Sequence, residues 1–209
     1  MTLTIHHLGV SASERIPWLC EEIELPYQLI RYDRDPDTRM APPAYRALHP
    51  FGTAPVIDDD GRRLAESGAI VAYLLSRYGG GRLVAAPDDA EFADYLFWFH
   101  FANASMLPGM MNELTARRLG ATLDPARDRA GRAFALVEAR LAAAPYFAGE
   151  AFTAADIMMV FPLTTMRVFA PRDLASYPAI RAYLHRIGER PAYRAAMGKS
   201  DPDLAPLLA

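Results

Sequence analysis

Cysteine is almost absent from this chain: Cys20 is the single one among 209 residues. That excludes an internal disulfide, a CxxC redox pair and any cysteine-rich zinc or iron–sulfur site. A basic excess is also missing, since 22 Lys and Arg stand against 25 Asp and Glu for a net charge of −3. Neither a nucleic acid nor an anionic membrane surface is therefore expected as a partner. Long apolar runs are lacking too. The best candidate, Ile157 to Leu163, falls far short of the ~18 residues of a membrane span. The first residues, MTLTIHHLGVSASER, carry no basic stretch followed by an apolar run, so the expectation is a cytoplasmic protein. Chemical motifs are equally sparse. There is no HExxH and no GxSxG, and Gly79-Gly80-Gly81 is not followed by the Lys-Ser/Thr of a phosphate loop. No metal site is expected.

What is present is an apolar, ordinarily charged chain, 52% hydrophobic and 22% charged, able to fold as one large domain or two small ones. Leu3 to Leu8 reads as a strand, Gly9 to Ala12 as a turn, and Ser13 as the cap of a helix reaching about Glu24. Ile16, Leu19, Cys20 and Ile23 fall on one face of that helix. Leu25 to Tyr32 reads as a second strand, which makes a right-handed βαβ unit. A short helix near Ala44 to Leu48 leads to His49-Pro50-Phe51-Gly52-Thr53-Ala54-Pro55. A hairpin follows, Val56 to Asp58 and Arg62 to Ala65 about an Asp-Gly turn, and then a helix from Gly68 to Tyr78. The sum is a β-α-β-α-β-β-α module of roughly eighty residues.

Beyond Pro87 the strand signals vanish. Asp88-Asp89 open a long helix, and Asp124-Pro125 open another with Phe134, Val137 and Leu141 turned inward. Thr153 and Asp156 have the spacing of a capping box ahead of Ile157. Further helices start near Pro178 and after Pro191, so the second domain reads as all-α.

Five segments in order carry a resemblance: SASERIPWL from Ser11, PFGTAPVI from Pro50, ESGAIVAY from Glu66, WFHFANASMLP from Trp98 and FAGEAFTAAD from Phe147. Together they resemble the soluble glutathione S-transferases, and most nearly the bacterial and fungal members with a serine after the first strand. The resemblance implies a thioredoxin-like glutathione-binding domain over 1–80 and an all-α domain over 88–209 that forms the co-substrate pocket. It further implies a homodimer, with glutathione as co-substrate and no further cofactor. The reaction implied is thiol attack on a small hydrophobic electrophile or a peroxide. A catalytically inactive scaffold of the same fold is the alternative.

The resemblance also distributes roles. Ala54, ahead of a cis Pro55, would pair its backbone with the cysteinyl part of glutathione. Ser67, at a helix N-terminus where free N–H groups favour an anion, would meet the γ-glutamyl carboxylate, and Glu66 the α-ammonium. Read alone, Glu66-Ser67 is a plain capping pair. Ser11 is the candidate for activating the thiol, with Ser13 as rival. A free cysteine thiol titrates at about 8.5, and lowering that by about two units takes roughly 2.7 kcal/mol. Where relatives carry a basic residue for the glycyl carboxylate, this chain has Thr53; His49, Arg39 and Arg15 are possible substitutes. Leu8, Val10, Asn103, Leu107 and Met111 are assigned to the co-substrate pocket. His6 and His7 stand where other members carry a tyrosine; facing opposite ways, at most one can approach the sulfur. Flanking the strand end is the simpler role for both. Cys20, mid-helix on the apolar face, reads as a small buried hydrophobe.

Overall fold

The computed structural model describes residues 3–121 and 128–209. The chain divides into two compact units, Met1–Arg82 with Glu189–Pro206, and Leu83–Gly188 with Leu207–Ala209. In the first unit four strands, β1 (Thr4–Leu8), β2 (Gln28–Tyr32), β3 (Val56–Asp59) and β4 (Arg62–Ala65), form a sheet in the order β2-β1-β3-β4. β1 pairs in parallel with β2, Thr4 opposite Gln28 through Leu8 opposite Tyr32, and antiparallel with β3. The β3–β4 turn works because Asp60 and Gly61 both take positive φ, 50° and 77°, the requirement of a tight two-residue hairpin. Helices α1 (Arg15–Glu22), α2 (Pro43–Arg46) and α3 (Ser67–Tyr78) complete the β-α-β-α-β-β-α order.

Alternation along β1 sends its side chains to two destinations. Leu8 packs with Tyr45 of α2 and Val56 in a buried cluster, and His6 on the same side meets Tyr32 (Nδ1 to Oη, 3.1 Å) and Asp58 (Nε2 to Oδ2, 3.0 Å). His7 faces the other way and is fully buried.

The last helix, α9 (Pro191–Ser200), was expected in the all-α part, residues 88–209; in the structure Glu189–Pro206 joins the first unit. The reason is side-chain pairing with α1. Tyr193 meets the Trp18 ring edge-on at 4.9 Å, and Arg190 donates to both Glu22 carboxylate oxygens at 2.7 Å. Such a two-pronged pair is the strongest geometry available to an ion pair.

The second unit is helical among the described residues. α4 (Phe92–Phe101) runs through a π-turn, Ala102–Met106, into α5 (Leu107–Arg118). Pro108, which has no N–H to give to the preceding turn, accounts for that local widening. The expected helix start at Asp124-Pro125 lies outside the described residues; α6 is seen as Arg129–Ala143, capped by Asp128 accepting from the Gly131 N–H at 2.7 Å. α7 (Ala154–Leu163) is buried along its whole length, and α8 is Pro178–Gly188.

The capping box at α7 is present. Asp156 accepts from the Thr153 N–H (2.8 Å), the Phe147 N–H (3.1 Å) and the Tyr183 hydroxyl (3.1 Å). Asp156→Ala leaves these buried donors without a partner and should cost about 3 kcal/mol in urea unfolding, against about 1 kcal/mol for Thr153→Ala. A loss no larger than that of Thr153→Ala would contradict the reading. Burial pushes the Asp156 carboxyl up to about 6, the hydrogen bonds it accepts opposing the rise. The native state therefore holds a proton there that the unfolded chain has already released, and this contribution to stability is lost as pH rises from about 4 to 6. Relative to Asp156→Asn, which does not titrate, the wild type should lose stability over that window.

Candidate functional site

The turn after β1 is held from several directions. Val10 sits at φ 53°, and Ser11 follows in extended backbone (φ −148°, ψ 171°) as the cap of a 3-10 turn, Ala12–Glu14, that leads into α1. The Ser11 hydroxyl donates to the Leu8 carbonyl at 2.7 Å, lies 2.7 Å from the Ser13 hydroxyl and accepts from the Ser13 N–H at 3.2 Å. The cap is thus Ser11, where the sequence pointed to Ser13. Ser13 lies inside the turn, and its hydroxyl accepts from the Leu8 N–H (3.1 Å) and lies 2.8 Å from His7 Nδ1. His7 Nε2 in turn is 3.0 Å from Asp201 Oδ2, and Asp201 Oδ1 accepts from the Val10 N–H at 3.1 Å. Arg34 adds hydrogen bonds to the carbonyls of Gly9 (2.8 Å) and Val10 (3.1 Å).

Burial works against charge on Asp201. The hydrogen bond from His7, helped by the Val10 N–H and the charge of Arg31, outweighs it and holds the carboxyl below its ordinary value.

One helical turn beyond Ser11, Arg15 is buried and donates from Nη1 to the Ser67 hydroxyl at 3.0 Å. Burial lowers its guanidinium to about 10, with Glu14 opposing, so it stays cationic at neutral pH. Ser67 is itself buried and is the first residue of α3, where the leading N–H groups have no partner within the helix. A buried cation and a helix N-terminus then meet on one hydroxyl, an arrangement suited to a carboxylate. The resemblance offers Arg15 for the glycyl end of glutathione; the structure puts it against Ser67. Glu66, just before, is exposed and held at φ 73°, ψ 113°, a backbone that non-glycine residues rarely adopt. The Ala54–Pro55 bond is cis.

The remaining candidates are more scattered. His49 Nδ1 accepts from the Phe51 N–H at 3.2 Å, and Thr53 is exposed. Leu8, assigned to the co-substrate pocket, has its side chain in the core beside Tyr45 and Val56, so it is not open to line one. Asn103 lies in the π-turn, and Leu107 and Met111 on α5 of the second unit; Met111 is exposed. Cys20 is buried, and burial followed by the charge of Glu21 pushes its thiol up, away from any nucleophilic role.

Two family descriptions match, the glutathione S-transferase N-terminal domain over residues 11–77 and the C-terminal domain over 93–191. The chain belongs to the glutathione S-transferase family. Glutathione S-transferase 3 of Schizosaccharomyces pombe is 32% identical, over 99% of this chain and 91% of that protein. Glutathione S-transferase GstB of Escherichia coli K12 is 30% identical over 83% of this chain and 86% of its own length. Among solved structures, a glutathione S-transferase of Actinobacillus pleuropneumoniae superposes with a TM-score of 0.87 at 34% identity, covering 97% of both chains.

The backbone at Glu66 generates a stability prediction. Glu66→Gly should raise the unfolding free energy by about 1 kcal/mol, because relief of a rarely adopted φ exceeds the added unfolded-state entropy of glycine. Unfolding that is unchanged or easier in this variant would show that the conformation stores no strain.

Proposed function

We propose that this chain is a glutathione transferase of the serine type, in which Ser11 stabilises the glutathione thiolate. The observation that carries the reading is that one short stretch, Ser11 to Arg15, bears both a capping hydroxyl and a buried cation that reaches Ser67 at the start of α3. In the proposed complex the γ-glutamyl carboxylate meets Ser67, the α3 N-terminus and the charge of Arg15, and Glu66 takes the α-ammonium. Ala54 and Pro55 present backbone to the cysteinyl unit, and His49 and Thr53 serve the glycyl end. The sulfur then lies at Ser11. There a hydroxyl proton directed at sulfur and the N-terminal end of a helical segment favour the anion. Activation is electrostatic, and glutathione is the only co-substrate besides the acceptor.

The acceptor is proposed to be a small hydrophobic electrophile or a peroxide. A homodimer in the cytoplasm is the proposed setting. The inactive scaffold is the weaker alternative, given that the relatives named above are transferases.

Calorimetric titration with glutathione tests the binding half. Saturable binding is expected, weakened by about fivefold to tenfold in Ser67→Ala; absence of binding at millimolar glutathione would favour the scaffold. Kinetics test the other half. Ser11→Ala should lower kcat at pH 7 by about tenfold and move the midpoint of the pH–rate profile upward, with glutathione affinity within about twofold of wild type. An unmoved profile would remove Ser11 from the role.

A further inference from the structure

Ser11 is the near end of a buried polar chain that the thiol-activating role alone does not require. Its oxygen is 2.7 Å from Ser13 Oγ, which is 2.8 Å from His7 Nδ1, while His7 Nε2 is 3.0 Å from Asp201 Oδ2. His7, Ser13 and Asp201 are each buried. The far end comes from residue 201, immediately after α9. Buried polar side chains are costly unless satisfied, and here each link satisfies the next.

We propose that Asp201, His7 and Ser13 form a proton relay that accepts the glutathione thiol proton through Ser11 and turns the serine hydroxyls toward the resulting thiolate. The inference rests on the assignment of Ser11 to the sulfur. Beside an ionised Asp201, His7 Nε2 carries a proton, so in the neutral ring Nδ1 is the acceptor and draws the Ser13 proton toward itself. When the S–H bond breaks, its electron pair stays on sulfur and its proton passes to Ser11 Oγ. The Ser11 proton, which at rest points to the Leu8 carbonyl, swings to Ser13 Oγ and passes there, and the Ser13 proton passes to His7 Nδ1. Three short steps leave a thiolate at one end and an imidazolium against a carboxylate at the other. Both hydroxyls now donate outward, Ser13 to Ser11 and Ser11 to sulfur. Once the sulfur has bonded to the acceptor, the proton returns along the same path to the leaving group or to water.

Other charges near His7 are few. Arg31, its partner on β2, pairs with Asp33 at 2.8 Å, and Arg34 is committed to the Gly9 and Val10 carbonyls. Glu14 and Arg15 lie on the helical segment just past Ser13, and Arg15 is turned to Ser67. On the β3 side the nearest residues, Pro55 and Val56, are apolar. Asp201 is thus the anion placed to stabilise a proton on His7. His6, bound to Tyr32 and Asp58 on the opposite face, takes no part.

The test is the pH profile of kcat/KM for conjugation of glutathione to chlorodinitrobenzene in Asp201→Asn, Ser13→Ala and Ser11→Ala. An amide at 201 keeps the Val10 contact through its oxygen but donates to Nε2, which forces the other tautomer and blocks Nδ1 as an acceptor. Only a few per cent of an unassisted thiol is ionised at pH 7, so both relay variants should lose about tenfold there. The gap should close above about pH 9, where solvent removes the proton unaided, and glutathione affinity should stay within about twofold. Losses of equal size at pH 7 and above pH 9, or no loss, while Ser11→Ala shifts the profile, would overturn the relay and leave Ser11 in place. An unshifted profile in Ser11→Ala would overturn the Ser11 assignment and the relay with it. Should Asp201→Asn fail to fold, Ser13→Ala decides by the same criterion.

Discussion

A single buried carboxylate, that of Asp201, fixes the geometry of the turn to which the thiol chemistry is assigned by proposal. It accepts from the Val10 N–H and faces His7, so the end of β1 and the residue after α9 are tied at one point. A buried carboxylate without partners is expensive, and the arrangement is therefore close to all-or-none. α9 is delivered there by the Trp18–Tyr193 contact and the Arg190–Glu22 pair, both on α1. The helix that begins just past Ser11 thus also anchors the segment that orients the turn.

Two backbone irregularities sit at the proposed glutathione site. Val10 precedes the capping serine and Glu66 precedes the α3 N-terminus, and both have positive φ. Each places the following serine at the start of a helical segment, where the aligned backbone dipoles favour negative charge. At the proposed γ-glutamyl end the charge is reinforced by Arg15, which stays cationic at neutral pH although burial lowers its guanidinium to about 10. The proposed sulfur end instead uses neutral hydroxyls whose proton direction is set from behind. A permanent cation suits a carboxylate that is ionised whenever glutathione is present, whereas a polarisable chain suits a thiol that must change its charge.

Much of this was legible in local sequence. The β-α-β-α-β-β-α order followed from strand and turn signals, the Asp-Gly hairpin from its φ requirement, and the Thr153–Asp156 box from spacing alone. What escaped was non-local or context-dependent. Ser11 and Ser13 are both good caps, and only the inserted 3-10 turn decides between them. Nothing near residue 7 signals that its partner lies at 201, since the pairing is created by α9 returning to α1. The resemblance offers Arg15 only for the glycyl end, because its burial against Ser67 depends on α3. Leu8 looked available at a strand end but is taken by Tyr45 and Val56. The one usable clue was alternation: if Leu8 goes into the α2 cluster, His7 must face the other side, toward the serine turn.

The central claim is that this unit ionises the glutathione thiol at Ser11. The direct measurement is an ultraviolet difference titration of bound glutathione, following thiolate absorbance against pH at saturating protein. The account predicts a midpoint about one to two units below the value of about 8.5 for a free cysteine thiol. A bound thiol that titrates where the free one does would contradict it, whatever the affinity.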